Sequence, residues 1–392
     1  MSRPAEVDNL GESGVPAEGM VRRAAELVPV LQERAHRAEQ ERRIPDETVE
    51  DIRDAGLLHI ATPERFGGNG CDHHVSFDVA MELGRGCGST AWCFSVWATH
   101  NWMVGQWPLA GQEEYFADGP STFASSSFTP AGTLEPAKGG YRLSGRWDFS
   151  SGSYAATWVL LGAMGAHGPV MVIVPKADVM VIDTWFTSGL RGTGSNDIVV
   201  DDAFVPVHRI GPFPFGPNQP TGWEVHKRPS YRAPTGALLP WTLSAPLVGI
   251  AQGAVENFIQ RAIGGSTPGR RADSAGMQMR VAESSAEVDA ARLVLRHDAA
   301  EVVERGAIGD PFTDREVTRM RRDMSFVAML AVRAVNRLFD ASGGHALYDS
   351  DPMQRFHRDV HAGSHQTALF WDPVAMSYGR HVFGLPPEPG PF

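Results

Sequence analysis

The sequence predicts an α+β protein, mostly α: an N-terminal helical domain, a central antiparallel β-barrel and a C-terminal four-helix bundle. Three observations carry this. Apolar residues recur at helical spacing through the first ~120 residues, the texture changes at Ser121 to strand-like alternation, and helical spacing returns from about Leu238. The divisions fall at residues 1–17 (a Gly/Pro/Glu-rich tail), 18–120, 121–215 and 216–392.

In the first unit, Met20, Ala24, Leu27, Leu31, Ala35 and Ala38 mark one helix, with Pro29 a kink inside it. Val49, Ile52 and Gly56 mark a second helix entering after Pro45. Residues 61–70 form a turn-rich loop, another helix crosses Val79 to Leu83, and a longer one begins near Ser89. In the second unit, Tyr141, Leu143, Gly145, Trp147 and Phe149 alternate with polar residues. Trp158–Leu161, Val170–Val174 and Ile198–Val200 read as buried strands. In the third, Val281, Val288, Leu295 and Val302 fall seven apart, a stripe suited to antiparallel helix packing. Val327, Leu330, Ala331, Ala334 and Leu338 form another apolar face.

At 392 residues the chain is too long for one core, and its 42% hydrophobic content is ample for several. A formal net charge of −11 excludes nucleic acid as the main partner, because phosphate binding needs a basic field. No uninterrupted apolar run approaches the ~20 residues of a membrane span. Met1–Glu6 leads into polar residues without the apolar core of a signal peptide, so the expectation is a cytoplasmic protein away from membranes. Cys71, Cys87 and Cys93 are too few and irregular for a disulfide framework. Cys71-Asp72-His73-His74 is not a metal site, since adjacent side chains do not converge on one ion, and no metal is expected.

Three motifs carry chemistry. Gly189-Leu190-Arg191-Gly192-Thr193-Gly194-Ser195-Asn196-Asp197 runs into the strand Ile198–Val200 and stops at Pro206. This string resembles the middle-domain signature of the acyl-CoA dehydrogenase superfamily, where the turn lies beside the flavin; the helical, β, helical order agrees over roughly residues 20–385. Gly145-Arg146-Trp147-Asp148-Phe149-Ser150-Ser151-Gly152 resembles the strand laid against the flavin ring. Its Phe-Ser-Ser-Gly form is similar to the two-component flavin-dependent aromatic hydroxylases of that superfamily. There the serine before glycine bonds flavin N5, a role carried to Ser151 with Ser150 as the alternative. Arg358-Asp359-Val360-His361-Ala362-Gly363-Ser364-His365, followed by Trp371-Asp372-Pro373, resembles the C-terminal signature of the same hydroxylases. Its two histidines lie four apart, on one helical face. A histidine suits a base near neutrality, its ordinary pKa being ~6.5. The resemblance gives the role to His365, with His361 second.

The glutamate base of the dehydrogenases has no counterpart. Gln366-Thr367-Ala368-Leu369-Phe370 holds no acid, nor does Leu238–Thr242 ahead of Pro246-Leu247-Val248-Gly249. The resemblance also implies cofactor contacts from Ser125, Ser126, Trp147, Ser150, Ser151, Arg191 and Thr193, with Gly343 and Gly344 meeting the cofactor of a neighbouring subunit. Trp92, His100 and Asn101 are substrate-pocket candidates on an aromatic-rich helix. The implied protein is the oxygenase component of a two-component monooxygenase, a likeness that brings a homotetramer with it. It would use reduced flavin and O2, through a C4a-hydroperoxide, to hydroxylate a small phenolic or heteroaromatic substrate. A separate reductase would supply the flavin, since no NAD(P)H fingerprint is present. The cofactor expectation is reduced FMN, with FAD the alternative, because residues 264–271 depart from the pattern that meets the FAD pyrophosphate. The alternatives are an acyl-CoA dehydrogenase or oxidase with an atypical base, and a catalytically silent flavin-binding homologue.

Overall fold

The computed structural model describes residues 17–215, 222–264 and 272–386. The tail expected over residues 1–17 therefore lies almost wholly outside the described residues, as do seven of the eight residues 264–271 behind the FMN expectation. Five helices come first: α1 (Ala17–Glu41), α2 (Asp46–Asp54), α3 (His73–Gly86), α4 (Gly88–Val104) and α5 (Leu109–Tyr115). Pro29 lies inside α1, which continues through it. Every residue of α4 is buried, since the helix is apolar on all sides with no polar face to turn to water, so each polar side chain on it must find a partner inside the protein.

Seven strands follow: β1 (Ala124–Ala137), β2 (Gly140–Ser150), β3 (Trp158–Gly165), β4 (Gly168–Pro175), β5 (Met180–Ile182), β6 (Asn196–Pro206) and β7 (Ile210–Gly211). They make one sheet in the order β5-β6-β2-β1-β3-β4-β7. The expected antiparallel barrel is corrected on two counts. The sheet is open, ending on β5 and β7, and β1 pairs with β3 in parallel, Ala124 opposite Trp158. Strands of three and two residues at the edges are too short to close a barrel. The register shifts in β1/β3 and β2/β6 bend the sheet instead. Leu143, Trp147, Val159, Leu161, Ile198 and Val200 form a core of their own on one face.

The remaining helices are α6 (Trp223–His226), α7 (Thr235–Gly264), α8 (Ala275–Ile308), α9 (Asp314–Ser342), α10 (Pro352–Ser364) and α11 (Trp371–Val382). Helices α7 to α10 pack on one another, with Val288, Leu295 and Val302 of the seven-residue stripe fully buried. α7 is long and apolar enough to cross a membrane, yet 89% of its apolar window is buried inside the protein. Where α3 crosses α7, a Cβ on Gly84 would come within 2.9 Å of Gly249 Cα, so the two backbones meet at glycine. One apolar cluster runs through the helices that precede and follow the sheet in sequence and takes in the other face of the strands through Leu160, Met171 and Ile173, and the candidate site opens between sheet and helices.

Candidate active site at the junction of two cavities

Two adjoining cavities lie between the sheet and the helices. The first, about 420 Å³, is lined by Trp92, Val96, Thr99 and His100 of α4, Ser126–Pro130 of β1, Phe213 and Phe215, and Leu239, Thr242 and Leu243 of α7. The second, about 490 Å³, is walled by residues 187–190 with Trp185, Thr193 and Ser195, and by His361, Ala362 and His365 at the end of α10. Trp92, Phe149, Ser151 and Gln366 line both and mark the junction.

Trp92, Val96 and His100 succeed each other every four residues, one face of α4, which points them together into the first cavity. His100 is fully enclosed. Its Nδ1–H donates to the Ala124 carbonyl at 2.6 Å, and its Nε2 accepts from Ser126 Oγ at 2.9 Å. Burial pushes its pKa down to about 4 against the opposing pull of the Ala124 carbonyl, so it stands neutral, in one tautomer, behind Ser126. Thr99 and Thr242 hydroxyls pair at 2.8 Å on the same wall.

At the junction, Ser151 Oγ lies 2.8 Å from Ser195 Oγ and accepts from Trp92 Nε1 at 3.2 Å. Ser150, the last residue of β2, is fully buried and lines neither cavity, whereas Ser151, in the turn that follows, faces both. Phe149 holds a left-handed backbone, φ 60°, and leaves a large apolar ring 65% exposed between the cavities. The left-handed residue falls inside the register shift between Trp147 and Ser150, where the β2/β6 pairing is interrupted.

In the second cavity, His365 Nδ1–H donates to the His361 carbonyl at 2.7 Å, leaving Nε2 as its lone-pair nitrogen. His361 Nε2–H donates to Asn336 Oδ1 at 2.7 Å, and its pKa is lowered by burial and by neighbouring His365. Asp359, on the same helix, accepts from the Leu190 N–H at 2.7 Å, and Arg358 donates to the Ser188 carbonyl at 2.5 Å. These two bonds pin the 187–195 loop to the helix that carries both histidines. Burial raises the Asp359 carboxyl to about 6 against the Leu190 N–H that lowers it.

Several expected contacts are not brought together. Trp147 is 1% exposed in the core of the sheet, donating to the Gly162 carbonyl at 2.8 Å, and reaches neither cavity. Asn101 points the other way from His100. Its amide donates to Thr62 Oγ1 and the Thr122 carbonyl, and its oxygen accepts from Tyr115, so it is a structural crosslink. Ser125 is fully buried, and Arg191 donates to the Thr187 carbonyl without lining a cavity. Gly343 and Gly344 sit at the exposed end of α9, away from both cavities. Ser126, expected at the cofactor, lines the first cavity with His100. Phe149, Ser195 and Gln366, members of the motifs with no site role expected of them, and Trp185 also line the cavities. Ser195 had a signal, standing two residues beyond Thr193 in the same turn.

The acyl-CoA dehydrogenase N-terminal and C-terminal domain families match residues 18–115 and 241–369. The "Flavin-dependent monooxygenase, oxygenase subunit HsaA" of Mycobacterium tuberculosis is 35% identical over 376 residues, covering 92% of this chain and 94% of that protein. The chain belongs to the acyl-CoA dehydrogenase superfamily, in its flavin-dependent monooxygenase branch. It is an oxidoreductase, the oxygenase component of such a system. The "FADH(2)-dependent resorcinol hydroxylase, oxygenase component" of a Rhizobium species is 32% identical, covering 95% of this chain and 96% of its own. Among solved structures, the 3-HSA hydroxylase of Rhodococcus sp. RHA1 superposes with a TM-score of 0.89 at 33% identity, over 95% of this chain and 98% of that one. XiaF from Streptomyces, in complex with FADH2 and glycerol, superposes with a TM-score of 0.88 at 28% identity, over 95% and 97%.

The second cavity fits a flavin ring. Trp92, Phe149 and Trp185 supply flat apolar walls, and the Ser151 oxygen is a polar point at the junction.

Proposed function

We propose that this oxygenase component hydroxylates a phenolic or heteroaromatic ring held in the first cavity, with reduced flavin in the second. The observation that carries the reading is the shared junction, which sets Ser151 between a flavin-sized cavity and one whose apolar walls carry the His100–Ser126 and Thr99–Thr242 polar pairs. Reduced flavin supplies two electrons and the place where O2 is activated; one oxygen atom enters the ring and the other leaves as water. The chain's own residues do the rest. Apolar walls from Val96, Phe128, Phe213 and Leu239 exclude water. A substrate hydroxyl donates to Ser126 Oγ, whose hydrogen goes to His100 Nε2. That partial withdrawal raises electron density on the ring, since neutral His100 offers a lone pair at physiological pH.

His365, at the edge of the second cavity, keeps the role of base through its Nε2, and His361 orients the helix end through Asn336. Reduced FAD is the preferred cofactor in place of FMN, supported by the FADH2 dependence in the name of the resorcinol hydroxylase and by the FADH2 bound in XiaF. A separate reductase delivers it, as the words "oxygenase subunit" and "oxygenase component" in the relatives' names imply. Assembly is a dimer of dimers, with the exposed Gly343–Gly344 turn facing a neighbour. A dehydrogenase reading requires a carboxylate base, and the one carboxylate lining the first cavity among the described residues is exposed Asp148.

The deciding experiment mixes the protein with chemically reduced FAD and a panel of phenols, adds O2, and measures hydroxylated product after one turnover. Incorporation of ¹⁸O from ¹⁸O2 is expected. Bleaching of oxidised flavin by acyl-CoA, with no phenol turned over, would overturn the reading.

A further inference from the structure

Ser151 ends a chain of hydroxyls whose direction can be counted out. Thr193 Oγ1 lies 2.8 Å from the Leu190 carbonyl oxygen and 2.7 Å from Ser195 Oγ, which lies 2.8 Å from Ser151 Oγ. Each hydroxyl has one hydrogen and two lone pairs. The carbonyl has no hydrogen, so Thr193 must donate to it. Thr193 then has none left for Ser195, which must donate to Thr193, and Ser151 must in turn donate to Ser195. Of the two lone pairs left on Ser151, Trp92 N–H takes one, and the other is free for the cavity.

The terminus of the chain is firmly held. Leu190 adopts φ 48°, its N–H is gripped by Asp359, and its carbonyl also accepts from Trp185 Nε1 at 2.9 Å. Thr193 and Ser195 are 1% and 4% exposed, so bulk water does not reorder the hydroxyls between them.

We propose that Thr193 and Ser195 are positioning residues that fix Ser151 as a hydrogen-bond acceptor, so the cavity selects the reduced flavin, whose N5 carries a hydrogen, over the oxidised flavin, whose N5 is a bare lone pair. Oxidised N5 facing the Ser151 lone pair gains nothing and is repelled, whereas reduced N5–H donates to it. The selection discards spent flavin and admits flavin fresh from a reductase. It rests on the reading that Ser151 faces flavin N5.

The test measures binding of oxidised FAD in air and of reduced FAD without oxygen to the full-length protein, and compares the two Kd values. In Ser195→Ala the Ser151 hydrogen loses its acceptor and turns to the cavity. In Thr193→Val the chain reverses with the same result. Both should lower the preference for reduced flavin roughly 3–10-fold, the size of one neutral hydrogen bond, chiefly by tightening oxidised FAD. Thr193→Ser, which keeps the hydroxyl, should restore the wild-type ratio, a rescue that lost packing alone would not produce. A folded Ser195→Ala or Thr193→Val protein with an unchanged ratio overturns the proposal. Ser151→Ala separates the two levels. If it leaves the ratio alone, Ser151 is not at N5 and the underlying reading fails. If it shifts the ratio while the other two do not, only the ordering of the chain fails.

Discussion

The two cavities meet at one serine but treat their histidines in opposite ways. In the first, His100 is sealed on a wholly buried helix, with both nitrogens occupied and its pKa driven down to about 4. In the second, His365 is exposed at the end of α10, with one nitrogen tied to the helix backbone and the other left open. The contrast shows that the same side chain does different work according to burial. A sealed imidazole rests neutral as a fixed acceptor and draws a proton toward it only during the reaction, whereas an open one faces solvent.

The largest break in that comparison would come from His100→Ala. Loss of the acceptor behind Ser126 should lower hydroxylation about 10²–10⁴-fold, while O2 consumption continues and appears as hydrogen peroxide. Product yield per O2 near wild type would show that the first cavity does not hold the substrate hydroxyl. His365→Ala should cost ~10²-fold in the same assay and leave flavin affinity near normal, with His361→Ala much milder. A reversed order would move the base one turn back along α10.

Acid titration sharpens the electrostatic half of the contrast. The folded pKa of His100 is depressed to about 4 from an ordinary 6.5, so below 6.5 the unfolded chain takes up the proton first. Wild type should therefore lose stability relative to His100→Gln as pH falls from 6.5 to about 4, by up to about 1.4 kcal/mol per pH unit, and the gap should level off below that. Parallel denaturant midpoints of the two proteins over this range would show the imidazole to be open to protons.

Asn101 tests whether neighbours on α4 divide between site and scaffold. Asn101→Leu strands the buried Tyr115 hydroxyl and the Thr122 carbonyl, and should destabilise by about 1–3 kcal/mol without changing KM for the phenol. A selective KM effect with unchanged unfolding would return Asn101 to the substrate wall. The smallest effect is expected at the junction, where Ser151→Ala should raise the peroxide-to-product ratio several-fold, in line with one hydrogen bond. Ser150→Ala, at a side chain that reaches neither cavity, should leave the ratio alone.

Much of this was legible from residue order alone. The seven-residue stripe from Val281 to Val302 announced a packed helix, and the turn around Gly192–Gly194 announced a strand beside something large. Both are local signals, set by side-chain period and backbone freedom, and need no knowledge of the rest of the chain. The family strings likewise pointed to Ser151, His361 and His365 before any geometry was known.

Tertiary structure alone decided the rest. Alternation along β2 and β6 shows that strands have two faces, but not which strand pairs with which. The parallel β1–β3 pairing and the open edges at β5 and β7 depend on partners far apart in sequence. Periodicity put His100 and Asn101 on one helix without saying that one faces the cavity and the other a polar crosslink, because α4 is buried all round and its hydropathy has no preferred side. The same limit hid the link from Leu190 through Thr193 and Ser195 to Ser151. Its ends in sequence, Ser151 and Ser195, are 44 positions apart, and its direction follows from oxygen–oxygen distances that only the folded chain sets.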